Sequence, residues 1–348
     1  EHPTLVYRPF TVNKNNYIYL ADNGRIHANL DLHDEQGTGL SFYTNREDTI
    51  AKQDMTVELS RINLKEFRRI LPYMPDMEGW IGAEAHYIDS GPYMMVSSDL
   101  RIDEFKYEGS ALGNWELGGV YLPGEAKDHH LDAYIRHDGE EIAHLGGIYL
   151  PAEEGTGSLS ADIAFEHFPL NVANPFVPDR MVELDGDIDG TLSMKGDPAK
   201  PLLNGELALD SVTFFMPEMS AMFRFDNEPV QVVNSKMMFK EFDIFTKGKT
   251  PFTINGEVDF SDLERTAVNL KMHAENYELL NAPRTKRAMV YGKMYVDFNA
   301  TLRGPVEELV MRGNMNILGK TNVTYVLKDS PLTVNDRLGD MVTFVNFN

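Results

Sequence analysis

The stretch DGDIDG at 185–190 sets three carboxylates at the spacing that opens a calcium loop, D-x-D-x-D-G. Such a loop needs a bidentate glutamate at its twelfth position, and here that position is Gly196. Ile188, Gly190, Leu192 and Met194 also alternate with polar neighbours straight through the stretch. A solvated strand face explains that pattern better than a cation loop. His129, His130, His137 and His144 are dense enough to suggest a metal cluster. Folding the chain into a hairpin about Asp138-Gly139 places His144 opposite Ala133 and leaves His137 in the turn, and no His-x-x-x-His helix pattern joins them. No metal site is expected.

Carboxylates are plentiful, and a suitably spaced pair could hydrolyse a glycosidic bond. They fall almost wholly on the polar side of alternating segments, where solvating charge belongs. Only Trp80 and Trp115 could serve as sugar-stacking platforms. The chain has no cysteine, which removes thiolate metal sites, disulfides and a cysteine nucleophile. Neither a G-x-S-x-G elbow nor a P-loop nor a G-x-G-x-x-G followed by a helix occurs. The expectation is a protein without catalytic residues or cofactor.

What remains is a pattern rather than a site. Even positions from Val290 to Leu302 read Val290, Gly292, Met294, Val296, Phe298, Ala300 and Leu302, against Lys293, Asp297, Asn299, Thr301 and Arg303. The same period of two runs through Leu203 to Leu209, Ile254 to Phe260, Val268 to Ala274, Ile26 to Leu32 and Leu159 to Phe165. Strands with one buried and one wet face read this way, and antiparallel sheets are built from them. Helical signals are few. INLKEFRRILPYM puts Leu64, Phe67, Ile70 and Leu71 on one stripe ended by Pro72 and Pro75, and FEHFPLNVANPFV is a weaker copy closed by Pro175 and Pro178.

Repetition is the second pattern. LGGVYLPGEA at 117–126 returns as LGGIYLPAEE at 145–154. PYMPD at 72–76 returns as PFVPD at 175–179, each after a helical signal and before a glycine-bearing strand. GDPAKPLLNG at 196–205 echoes GPVEELVMRG at 304–313. Modules that stack like this build elongated objects. We divide the chain into the end of a preceding module (1–61), a module with a Pro-Asp corner (62–164) and a second such module (165–348). With every strand apolar on one side, the sheet must close, pair with a second sheet or curl into a trough.

At 348 residues and a net charge of −22, the chain has the length for more than one unit and a charge that repels polyphosphate. Nucleic acid is therefore not an expected partner, and anionic membrane surfaces are disfavoured. No apolar run approaches the roughly 20 residues of a membrane helix. Glu1 is followed by no charged-then-apolar leader, and the last residues, VTFVNFN, are strand-like. An excerpt from a longer protein is expected. Eighteen methionines, Met216, Met237 and Met294 among them, either fill a core or line an adaptable apolar surface.

From VELDGDIDGTLSMKGDPAKPLLNGELALDSVTFFMPEM onward, through NYELLNAPR and YGKMYVDFNATLRGPVEELVMRGNMNILGKTNVTYVLKDSPLTVNDRLGDMVTF, the sequence resembles the TamB family of the translocation and assembly module. Relatives are AsmA-like periplasmic proteins, and the forms of the Bacteroides group are most similar. The resemblance is dense over 180–348 and looser over 57–179. It implies a mainly β fold: a long, antiparallel-rich sheet curled into a β-taco-like trough with an apolar interior and a few short helices. It also implies a periplasmic place, anchored in the inner membrane through a segment not present here. An outer-membrane β-barrel assembly partner, TamA-like, would be met through other regions. The implied roles are outer-membrane protein assembly or secretion and phospholipid movement between membranes, with phospholipid or another acyl chain as cargo. Candidate groove residues are Leu192, Met194, Leu207, Leu209, Val258, Phe260, Leu270, Met272, Met294, Val296, Phe298, Leu302, Met315 and Ile317. A ligand-free β scaffold and a carbohydrate-active surface protein are the alternative readings.

Overall fold

The computed structural model describes residues 4–326, apart from 6–7, 46–50, 72, 92, 125–126, 154, 178–179, 218 and 285–289. Alternation of apolar and polar residues becomes strand wherever it was read. A short ribbon, β1 (Thr4–Leu5) with β2 (Arg8–Pro9), stands apart from the main sheet. That sheet begins with β3 (Thr11–Val12), β4 (Tyr17–Leu20), β5 (Ile26–His33), β6 (Gly39–Thr44) and β7 (Gln53–Asn63). After the helix α1 (Leu64–Ile70) follow β8 (Met77–Asp89), β9 (Met94–Tyr107), β10 (Ser110–Pro123), β11 (His129–His137), β12 (Glu140–Leu150) and β13 (Ser158–Pro169). The rest of the sheet holds β14 (Glu183–Gly196), β15 (Leu202–Met216), β16 (Ala221–Phe225), β17 (Val230–Val233), β18 (Lys236–Phe245) and β19 (Phe252–Asp259). It ends with β20 (Ala267–Ala282), β21 (Val290–Pro305), β22 (Val310–Ile317) and β23 (Asn322–Tyr325).

Every pairing is antiparallel and most link neighbours along the chain, so the sheet is a meander. Three positions in it are filled by broken strands. β16 and β17 share the place between β15 and β18, β3 and β4 share the place beside β5, and β22 and β23 share the place beside β21. Among the described residues no registered pair joins β23 to β3. Two-residue turns with both residues left-handed drive three hairpins: Glu108-Gly109, Asp138-Gly139 and Asn234-Ser235. The proposed module boundaries at 61/62 and 164/165 fall inside β7 and β13.

Bulges curl this sheet into a trough. Near one end of the strands, Arg61, Glu104, His167, Ser211, Glu241 and Asn276 all take φ between +48° and +53°. Register shifts mark several of these positions, as between Phe165 and Phe168, Phe239 and Phe242, and Ala274 and Tyr277. An extra residue bends the strand and raises its twist. It also leaves an amide pointing away from the ladder, and a side chain of the next strand receives it. The Glu104 amide donates to Asn114 Oδ1 at 2.9 Å, His167 to Asp189 Oδ1 at 2.8 Å, Glu241 to Asn255 Oδ1 at 2.9 Å and Asn276 to Asp297 Oδ1 at 2.7 Å. Asp189, the third acid of DGDIDG, thus braces a bulge from inside β14.

Two sequence expectations need correction. Residues 165–177 are not a helical copy: β13 runs on to Pro169, and only Leu170–Phe176 coil, as a 3-10 helix that contains Pro175 instead of ending at it. His144 faces Tyr134, not Ala133, because a bulge between Ile135 and Arg136 slips the register by one. His137 pairs with Glu140 and closes the hairpin from within β11. The predicted helix over 64–71 does form, with Leu64 buried and Leu71 exposed; the side chains of Phe67 and Ile70 lie outside the described residues, as do Pro72, Pro178 and Asp179.

Candidate apolar groove

Cross-strand registration turns the period of two into continuous lanes on one face. One lane runs Phe42, Val57, Ala85, Ser98, Gly119, Ala133, Leu145, Ile163, Leu192, Gly205, Val232, Met237, Val258, Val268 and Gly304, each opposite the next. No member carries a charge. A parallel lane runs Leu40, Leu59, Ala83, Leu100, Leu117, Ile135, Ala143, Phe165, Gly190, Leu207 and Val230. An isolated charge on such a face would cost several kcal/mol once dehydrated, so its absence keeps the face usable as an apolar surface.

The opposite face is polar. Glu58, Glu84 and Asp99 are cross-strand neighbours there, and Arg101 faces Glu116. They border a cleft of about 500 Å³ together with Trp80, whose ring lies 5.1 Å from the Arg61 guanidinium. Tyr134 lies across Gly118, where a Cβ would overlap its ring, and its hydroxyl is 2.8 Å from carboxylates of both Asp99 and Glu116. The Asp99 contact, with burial and Glu116 adding to it, pushes the phenol pKa up.

All the groove candidates within strands fall on the apolar face. Leu192 and Val258 sit in the first lane and Leu207 in the second, while Met194 faces Ala161 and Leu203, and Leu209 faces Ile188. Leu270 faces Leu302, Met272 faces Ala300, Phe298 lies between Ala274 and Met315, and Val296 between Tyr277 and Ile317. Met294 faces Leu280. Phe260 falls just past the end of β19, its amide donating to the Ser235 carbonyl.

Their burial differs. Val296 and Leu192 are buried, most others are half-buried, and Met315 and Ile317 are exposed on β22. Around β15–β21 the face closes on itself. Ala221, Phe223, Val230, Phe242, Ile244, Leu280 and Ala282 form a core, with Phe214 stacked on Phe223 at 4.5 Å and Met216, Met237 and Met294 packed against it. Here the methionines are core filling.

Sequence reading passed over the matching positions of the N-terminal half. Val57, Leu59, Leu100, Leu117 and Leu131 lie on the same face and stay 37–47% exposed. The doublets Gly118-Gly119 and Gly146-Gly147 break the visible alternation there, although Leu117 and Tyr121, and Leu145 and Tyr149, keep the period.

The four clustered histidines go separate ways. His129 stacks between Tyr121 and Tyr149, His130 pairs with Asp128, and His137 contacts the Leu112 carbonyl. His144 lies between Glu141 at 3.1 Å and Asp132 at 3.2 Å; burial pulls its pKa down, but the two carboxylates win and raise it. Among the described residues no group of three or more His, Asp or Glu is placed to hold a metal ion. No helix of those residues is long and apolar enough to cross a membrane.

Comparison with known proteins adds one finding. A family model described as the TamB C-terminal domain matches residues 241–348. No curated protein and no solved structure matches the chain.

Proposed function

Because residues 241–348 make this a TamB-family chain, we propose that it is a periplasmic stretch of a trough that carries phospholipid acyl chains between the inner and outer membranes. It acts without catalysis, and supports outer-membrane protein assembly or secretion through a TamA-like β-barrel partner met by other regions. Its inner-membrane anchor is likewise a separate segment.

The observation that carries this reading is the uncharged lane that crosses fifteen strands, each of its members registered opposite the next. Each buried methylene gains about 0.8 kcal/mol, so a fifteen-methylene chain gains roughly 12 kcal/mol gross on leaving water. A lane without charges, in which Ser98 is the one polar side chain, returns little of that gain along its length. The acidic outer face and a net charge of −22 keep the object soluble and off anionic bilayer surfaces between its ends.

The test is lipid extraction from the purified protein, followed by mass spectrometry. Phospholipid should co-purify in amounts comparable to the protein, and be lost when an apolar-face leucine becomes aspartate in a chain that still folds. Protein isolated from membranes without detergent and free of lipid would count against the reading.

A further inference from the structure

Within that lipid-carrying reading, on which this rests, we infer that the acyl chain lies against β7–β11, and that β15–β21 hold their part of the face shut with their own side chains. The contrast is in burial. On the apolar face of strands paired on both sides, the large exposed side chains are Val57, Leu59, Leu100, Leu117 and Leu131, all on β7, β9, β10 and β11. They span four interstrand steps, about 19 Å. Along β15–β21, Leu280 is 0% and Val232 1% exposed, and Phe223, Phe242 and Val296 are buried. An acyl chain there would have to displace packed rings.

Met311, Met315 and Ile317 are also exposed, but for another reason. Among the described residues β22 is paired on one side only, with β21, and its residues are exposed throughout. Edges of that kind recruit strands. β7–β11 have no free backbone edge, since each is hydrogen-bonded to a neighbour on either side.

That difference also selects the occupant. A peptide laid on the face of β7–β11 would bury a row of amides where the two lanes offer a single hydroxyl, that of Ser98. An acyl chain has no polar group to satisfy along its length, so the surface suits it without penalty.

The chain's lack of cysteine makes single thiols unique reporters. Leu100→Cys, Leu117→Cys, Val258→Cys, Phe298→Cys and, on the polar face, Glu84→Cys are each reacted with a maleimide. The reaction is run with and without vesicles of phosphatidylethanolamine and phosphatidylglycerol, and folding is checked by circular-dichroism melting. The expected result is severalfold slower labelling with vesicles at 100 and 117, with no change at 84. Positions 258 and 298 should be slow and insensitive to lipid. Protection at 258 and 298 but not at 100 and 117 overturns the placement and leaves the lipid-carrying reading standing. Folded variants protected nowhere overturn both. Because Leu100 and Leu117 are 37% and 47% exposed, the loss of either side chain leaves the fold intact for the measurement.

Discussion

Leu280→Asp and Leu117→Asp put the same carboxylate on the same face of one sheet, and their effects should differ widely. Leu280 is fully buried in the core formed with Phe223, Phe242 and Ala282, whereas Leu117 is 47% exposed. Losing the buried leucine forfeits about 2–3 kcal/mol of transfer free energy. Holding an unpaired carboxylate in its place costs several kcal/mol more. Their sum is comparable to the roughly 5–15 kcal/mol that holds a domain folded. Leu280→Asp should therefore unfold the C-terminal half or lower its melting temperature steeply. At position 117 about half the side chain is already wet, so the loss is about 1 kcal/mol and the charge stays hydrated. Circular-dichroism melting of both variants reads the difference. A Leu280→Asp variant that melts like the parent would refute the closed core, and a Leu117→Asp variant that fails to fold would refute the open face.

Asn255→Ala removes the acceptor of the Glu241 amide at a bulge; a loss of about 1 kcal/mol is expected, and an unchanged urea midpoint would show that the brace contributes nothing. Gly256→Ala asks an L residue to hold φ +134° while its Cβ runs into the Asn269 carbonyl; backbone strain alone should cost about 1–3 kcal/mol, and a neutral melting temperature would contradict the strand geometry. Burial raises the pKa of Asp34, but the amides of Thr38 and Gln36 at 2.9 and 2.8 Å and the Arg8 guanidinium outweigh it and hold the value low. Its stabilisation is therefore present above the ordinary carboxylate range and lost as pH falls through the folded value, so Asp34→Asn should flatten the acid limb of a stability–pH curve. His144 has the opposite sign: its raised pKa gives stability that is full below the imidazole's usual range and lost as pH rises through the folded value. His144→Gln should remove that neutral-range step, and an unaltered slope would sink the assignment.

Much of the fold was legible along the chain because its signals are local. Alternation at 290–302 became β21, Asp138-Gly139 became a hairpin turn, and the stripe at 64–71 became α1. The bulges were not legible. At Phe165 to Phe168 and Phe239 to Phe242 the apolar phase slips by one residue, which reads as noise until the neighbouring strand shows two residues opposite one. The same slip at Ile135 moved His144 from Ala133 to Tyr134. DGDIDG is instructive in the same way: three acids at calcium spacing say nothing of the His167 amide that Asp189 receives from another strand.

The sequence by itself determined which side of each strand is apolar, since side-chain direction follows from a backbone period of two whatever the strand pairs with. It also determined that the polar face is acidic and that the apolar one carries no charge. Which part of that apolar face stays open was decided only by the tertiary structure. Leu117 and Leu280 are both leucines on apolar-face positions, yet one is 47% exposed and the other 0%. The difference comes from what packs against each: Leu280 lies in a core with Phe223, Phe242 and Ala282, where Phe214 stacks on Phe223, and Leu117 belongs to no such cluster among the described residues.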